Sequence, residues 1–89
     1  MLLKNENPNK PAITTKNILN GLESITRVIY DPDGDWQFFS KATDADSDFA
    51  VISIKQAIDI DESLLQLPEI KKNTELNRNN NAAPWMIKC

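Results

Sequence analysis

The feature that most constrains this chain is the dipeptide Asp33-Gly34, set between two runs suited to extended structure. Ahead of it stands Ile25-Thr26-Arg27-Val28-Ile29-Tyr30, β-branched and aromatic, and after it Trp36-Gln37-Phe38-Phe39-Ser40. Asp-Gly between such runs predicts a β-hairpin, because both residues tolerate the positive φ of a type I′ turn. Pro32 fits the approach to that turn and could not continue a central ladder. Alternation divides the second strand, with Trp36 and Phe38 on one face and Phe39 on the other. If Trp36 and Phe38 face the core, Phe39 needs cover from a helix or a partner.

Around this hairpin the chain reads as a series of short elements. Residues 1–12 (MLLKNENPNKPA) carry two prolines and three asparagines with no apolar period, which predicts a flexible N-terminal arm. Thr14 or Thr15 caps a short helix with Ile18, Leu19 and Leu22 on its apolar face, and Gly21 weakens or ends it. After the acidic loop Lys41 to Asp48, Phe49-Ala50-Val51-Ile52 reads as a third strand. Ser53-Ile54-Lys55-Gln56 is a capping box opening a helix to Ile58 or Ile60, with Ile54, Ala57 and Ile58 on one face. Asp61 caps a further turn that Pro68 closes. Ile70, Thr74 and Leu76 alternate as in a strand with one buried face, and Pro84-Trp85-Met86-Ile87 suits a last edge strand. The expectation is a single α+β domain over residues 13–89. It is a mainly antiparallel sheet of four or five strands with one or two short helices.

Composition narrows the chemistry. At 89 residues only one small core is available. Histidine is absent, which removes the commonest general base and most zinc and iron sites. Ten Lys and Arg against 13 Asp and Glu give a formal net charge of −3, which argues against a nucleic-acid footprint. No apolar run approaches the roughly 18 residues of a membrane span, and the first residues lack a signal-peptide pattern. The single cysteine, Cys89, has no internal partner and reads as a free thiol, which points to the cytoplasm.

Two acidic stretches are the candidate binding features: Asp31-x-Asp33-Gly34-Asp35 and Asp44-x-Asp46-x-Asp48. Alternating carboxylates can converge on a hard cation, but neither stretch has glycine and glutamate at the sixth and twelfth positions of a calcium loop. Solvated turns account for them, so no metal or cofactor is expected. Asp33 and Asp35 as a catalytic pair would need burial to separate their pKa values, and a hairpin tip is wet. No catalytic residue is therefore assigned. Lys71, Lys72 and Arg78 read as a solvated basic strand edge.

The stretch Asp33-Gly34-Asp35-Trp36-Gln37-Phe38-Phe39-Ser40, the later Ala50-Val51-Ile52-Ser53-Ile54, and Ile58-Asp59-Ile60-Asp61-Glu62-Ser63-Leu64 with Leu67-Pro68 resemble small bacterial domains with a "DGDWQF" hairpin. Among these are the immunity-protein-like domains of polymorphic toxin systems. The similarity spans roughly residues 25–87. It departs after Pro68, where Glu69-Ile70-Lys71-Lys72 stands in place of a glycine and an aromatic or charged strand. The resemblance implies a bacterial cytosolic protein that binds another protein and neutralises a toxin. Taken with the residues, it makes a non-catalytic protein-binding module the leading expectation. Asp33, Asp35, Asp44, Asp46 and Asp48 would supply charge, and Trp36 or Trp85 an anchor. The partner's identity stays open. The alternatives are a metal-binding or enzymatic domain on the same carboxylates, or a structural homodimer through the strand near Trp85.

Overall fold

The computed structural model describes residues 1–88; the expected free thiol at Cys89 lies outside them. Along the described residues run β1 (Pro11–Thr15), α1 (Lys16–Leu19), β2 (Arg27–Tyr30), β3 (Trp36–Phe39), β4 (Phe49–Ser53), α2 (Ile54–Ile60), β5 (Thr74–Asn77) and β6 (Met86–Ile87). The strands form one sheet in the order β4-β1-β3-β2-β5-β6. The α+β class therefore holds, but the sheet has six strands among these residues and is mixed. β1 runs parallel to β3, with Ile13 beside Gln37, and every other neighbouring pair is antiparallel.

The additional strand is β1, which the sequence disguises. Pro11 discourages a strand, and Thr14-Thr15 suggests a cap. The Ile54 N–H donates to the Lys10 carbonyl at 3.0 Å, so Lys10 and Ile54 form a bonded pair. Pro11 is then at the next, non-bonded position opposite Ser53, where the ladder to β4 asks for no donor. Thr15 serves both elements: it ends β1, and its Oγ1 accepts the Ile18 N–H at 3.2 Å as the N-cap of α1. Only Ile18 of the expected apolar face is buried, whereas Leu19 and Leu22 are exposed.

The hairpin forms, though not through a two-residue turn. The Gly34 N–H donates to the Asp31 carbonyl and the Asp31 N–H to that of Asp35. Pro32 thus takes the second position of a type I turn, and Gly34, at φ +84°, makes the bulge that returns the chain to β3. The Ser53–Gln56 capping box forms with both of its bonds, and the Asp61 Oδ1 accepts the Ser63 N–H to open a 3₁₀ turn over Glu62–Gln66.

Strand alternation sends Ala12, Val28, Tyr30, Trp36, Phe38, Ile52 and Leu76 to one face. There Ile18, Ile54, Ala57, Leu64 and Leu3 cover them. Leu3 is a correction to the expected flexible arm. It is 1% exposed, the Ile70 N–H donates to the Met1 carbonyl, and the Trp36 indole N–H donates to Glu6 Oε2 at 3.1 Å. The first ten residues close one side of the core, because its small layer of helices leaves the Trp36 end of the sheet open without them. Of the Glu69–Asn77 stretch only Thr74–Asn77 is strand; Ile70 is buried, and Asn73 takes φ +64° in the turn before β5.

Candidate functional site

The second face of the sheet carries no helix among the described residues. The same alternation that buries Trp36 and Phe38 puts Ile13, Gln37, Phe39, Phe49, Val51, Arg27 and Glu75 there. The face is divided by composition. Toward β4 it is apolar, with Ile13, Phe49 and Val51 at 41%, 46% and 73% exposure, values that leave real apolar area in water. Phe39 is nearly covered: the Phe49 ring meets it edge-on at 5.8 Å, and this supplies the cover that the sequence demanded. Toward β5 the face is polar. Arg27 Nη2 donates to Glu75 Oε1 at 3.3 Å, while its Nε lies 3.2 Å from Oε2 without hydrogen-bond alignment. Asn77 Nδ2 also donates to Glu75, and Lys88 Nζ stands 3.5 Å from it. A shallow hollow of about 570 Å³ lies between these halves, lined by Ile13, Arg27, Gln37, Phe39, Asp44 and Phe49.

Asp44 stands at the rim because its loop is held in shape by its own side chains. Its Oδ1 accepts the Asp46 N–H, and its N–H donates to Ser47 Oγ, each at 2.9 Å. Asp44, Asp46 and Asp48 are all exposed. Asp33 and Asp35, also exposed, sit at the opposite end of the strands, since β3 runs away from the hairpin toward this loop. The two acidic stretches therefore do not converge.

Within the hairpin the carboxylates of Asp31, Asp33 and Asp35 approach within 4.8 Å of one another, yet Asp31 is committed to the turn. Its Oδ1 accepts the N–H groups of Asp33 and Asp35, and its Oδ2 accepts from Gln37 Nε2. Lys10 Nζ donates to the Gly34 carbonyl and lies 4.0 Å from Asp35, so a cation of the chain itself already serves the tip.

Trp36 is fully buried and cannot anchor a partner. Trp85 is half-buried against the core, with the Arg78 guanidinium 4.1 Å above its ring. Arg78 is the residue that sequence reasoning misplaced: Lys71 and Lys72 are exposed, but Arg78 is 5% exposed and belongs to no solvated cluster. The signal was present, because Thr74, Leu76 and Arg78 continue the period of two on the inner face.

Three carboxyls are held below their ordinary range. Burial pulls Glu6 up, but the Trp36 indole N–H, the Asn7 N–H and nearby Lys10 together outweigh it. Burial likewise raises Glu75, and Asn77, Arg27 and Lys88 outweigh it. For Asp31 the bond from the Asp35 N–H is the leading cause. Carboxyls depressed in the folded state add stability above their unfolded pKa of about 4, and that stability is lost as pH falls through the folded values. The melting temperature is expected to be level down to about pH 5 and to fall progressively below about pH 4. Thermal melts across this range check it, and Asp31→Asn should flatten the acid limb.

Comparison with known protein families, with curated proteins and with solved structures gives no match to this chain.

Proposed function

We propose that this chain is a non-catalytic protein-binding module whose contact surface is the uncovered sheet face together with the Asp44–Asp48 loop. The observation that carries the reading is an exposed apolar patch, Ile13-Phe49-Val51, with Asp44 at the rim of the hollow beside it and Asp46 and Asp48 exposed in the same loop. Such a patch with a charged rim suits a partner that is basic at its edge and apolar at its centre. The carboxylates would speed encounter and the apolar side chains would hold the complex. The likeness of the hairpin and of the "IDIDESLLQLP" step to immunity-protein-like domains is in keeping with a bacterial module that masks a toxin.

Tagged protein incubated with a lysate of its native cells is expected to retain one stoichiometric partner at low salt and to release it as salt rises. Replacing Asp44, Asp46 and Asp48 by Asn keeps the loop's acceptor oxygens while removing its charge, and should abolish capture. Replacing Asp33 and Asp35 by Asn, at the far end of the strands, should leave capture intact. Equal capture by both variants, or none by the wild type, would overturn the assignment.

A further inference from the structure

We propose that β4 pairs antiparallel with β4 of a second copy, so that two six-stranded sheets join edge to edge. The inference stands apart from partner binding and rests on which backbone groups β4 leaves unused. Besides the Ile54-to-Lys10 bond, the Lys16 N–H donates to the Asp48 carbonyl at 2.8 Å, and the register aligns Ala12 with Ile52 and Thr14 with Ala50. In an antiparallel ladder bonded pairs alternate, so residues 48, 50, 52 and 54 turn their backbone groups toward β1. The N–H and C=O of Phe49 and Val51 therefore point outward, and β4 is an end strand of the sheet.

One register satisfies all of them. With Ala50 opposite Ala50 of the second copy, each Phe49 faces the other copy's Val51 as a bonded pair, and four N–H to C=O bonds close the junction. The non-bonded pair on the two-fold axis is the close one, about 4.5 Å between Cα atoms, and alanine is small enough for it. On the open face each exposed Phe49 then lies against an exposed Val51, a favourable aromatic to β-branched pair.

Ser53 limits other registers: its N–H is taken by Gln56 Oε1 in the capping box, so a pairing centred on Val51 would leave bonds unmade. Charge supports the same arrangement. Asp48 directly precedes β4 and Lys55 stands in the first turn of α2 behind it, so antiparallel self-pairing brings the acidic end of each strand toward the other copy's Lys55, whose Nζ lies 3.2 Å from Asp59 of its own helix. The strand itself, Phe-Ala-Val-Ile-Ser, has none of the lysine, proline or bulge devices that keep edges apart. The opposite edge, β6 near Trp85, is two residues long and followed by Lys88. Of the two edges, β4 is the one suited to a homodimer.

Sedimentation equilibrium of the purified protein, under reducing conditions so that Cys89 cannot cross-link chains, reads the proposal directly. The expected result is a reversible species of twice the 10.1 kDa chain mass. Val51→Lys, at an exposed side chain, and Val51→Pro, which deletes an outward N–H without touching the β1 ladder, should both sediment as single chains with unchanged circular dichroism. If Val51→Pro fails to fold, Val51→Lys alone decides. Lys55→Glu should weaken the dimer about two- to fivefold, as expected for exposed ion pairs. A wild type that stays a single chain at its highest soluble concentration, or a dimer that Val51→Lys leaves intact, would overturn the proposal. These measurements use the protein alone, so their outcome is separate from capture of a heterologous partner.

Discussion

Trp36→Ala is expected to cost about 3–5 kcal/mol, enough to bring a domain of this size near the end of its stability. The indole is fully buried, stacked on Tyr30 with 4.4 Å between ring centroids and followed by Phe38 at 6.4 Å. Its removal empties the centre of the sheet's inner face, and neighbouring strands can only partly collapse into the space. It also removes the indole N–H that Glu6 Oε2 accepts, the bond that ties the N-terminal residues to β3. The first ten residues should therefore loosen as well. Urea melts followed by circular dichroism, with Trp85 as the remaining fluorophore, would measure the loss. Trp36→Phe should cost less, since it keeps the stack and loses only the N–H and part of the volume. A Trp36→Ala variant as stable as the wild type would contradict this account of the core.

The second large effect is expected at Arg78. Its Nε and Nη2 donate to the Ile25 carbonyl at 3.0 and 2.7 Å, and its Nη1 donates to Ser63 Oγ at 2.7 Å. Nη2 also pairs with the Asp61 carboxylate, and the guanidinium plane covers Trp85. One side chain thus ties together the approach to β2, the turn after α2 and the C-terminal segment. Arg78→Ala leaves the Ile25 carbonyl without the guanidinium donors and the largely buried Asp61 carboxylate without its cation at Oδ2, for which a cost of about 3–5 kcal/mol is expected. Arg78→Lys should recover little, because an ammonium cannot supply the planar fork that reaches Ile25 and Asp61 together. In a double-mutant cycle with Asp61→Ala, the combined loss should fall short of the sum of the single losses, since the second change removes the charge that the first left stranded. Additive losses would show that the pair is not coupled.

How much of this was legible in the sequence depended on whether the determinant was local. The capping box at Ser53 and Gln56 and the cap at Asp61 are bonds within three residues and formed as read, and of the two threonines offered for the first helix the structure uses Thr15. That Trp36 and Phe38 share a face followed from alternation, but which face is the core did not, and the structure buries both. The hairpin's existence was legible, but its turn type was not. Pro32 and the Asp31 carboxylate select a type I turn with a glycine bulge, a choice made by three neighbours together rather than by Asp-Gly.

The open face was legible as a residue set and invisible as a site. Ile13, Phe39, Phe49 and Val51 come from three strands, and only the sheet order makes them neighbours. The run of β3 from the hairpin tip to the next loop separates the two acidic stretches, which look like echoes of one feature in the sequence and stand at opposite ends of the strands.

By itself, the sequence determined the α+β class, the central hairpin, the two short capped helices and which strand residues of that hairpin share a face. All of these depend on period, turn chemistry and bonds to near neighbours. Only the tertiary structure decided that Pro11–Thr15 is a strand parallel to β3, that residues 1–10 close the core, that Arg78 is buried and that β4 ends the sheet. Each of these rests on a partner tens of residues away: Ile13 beside Gln37, Leu3 in the core, Arg78 on Ile25, β4 beside β1. Local patterns cannot encode such pairings, because the free energy that selects them comes from filling one shared interior.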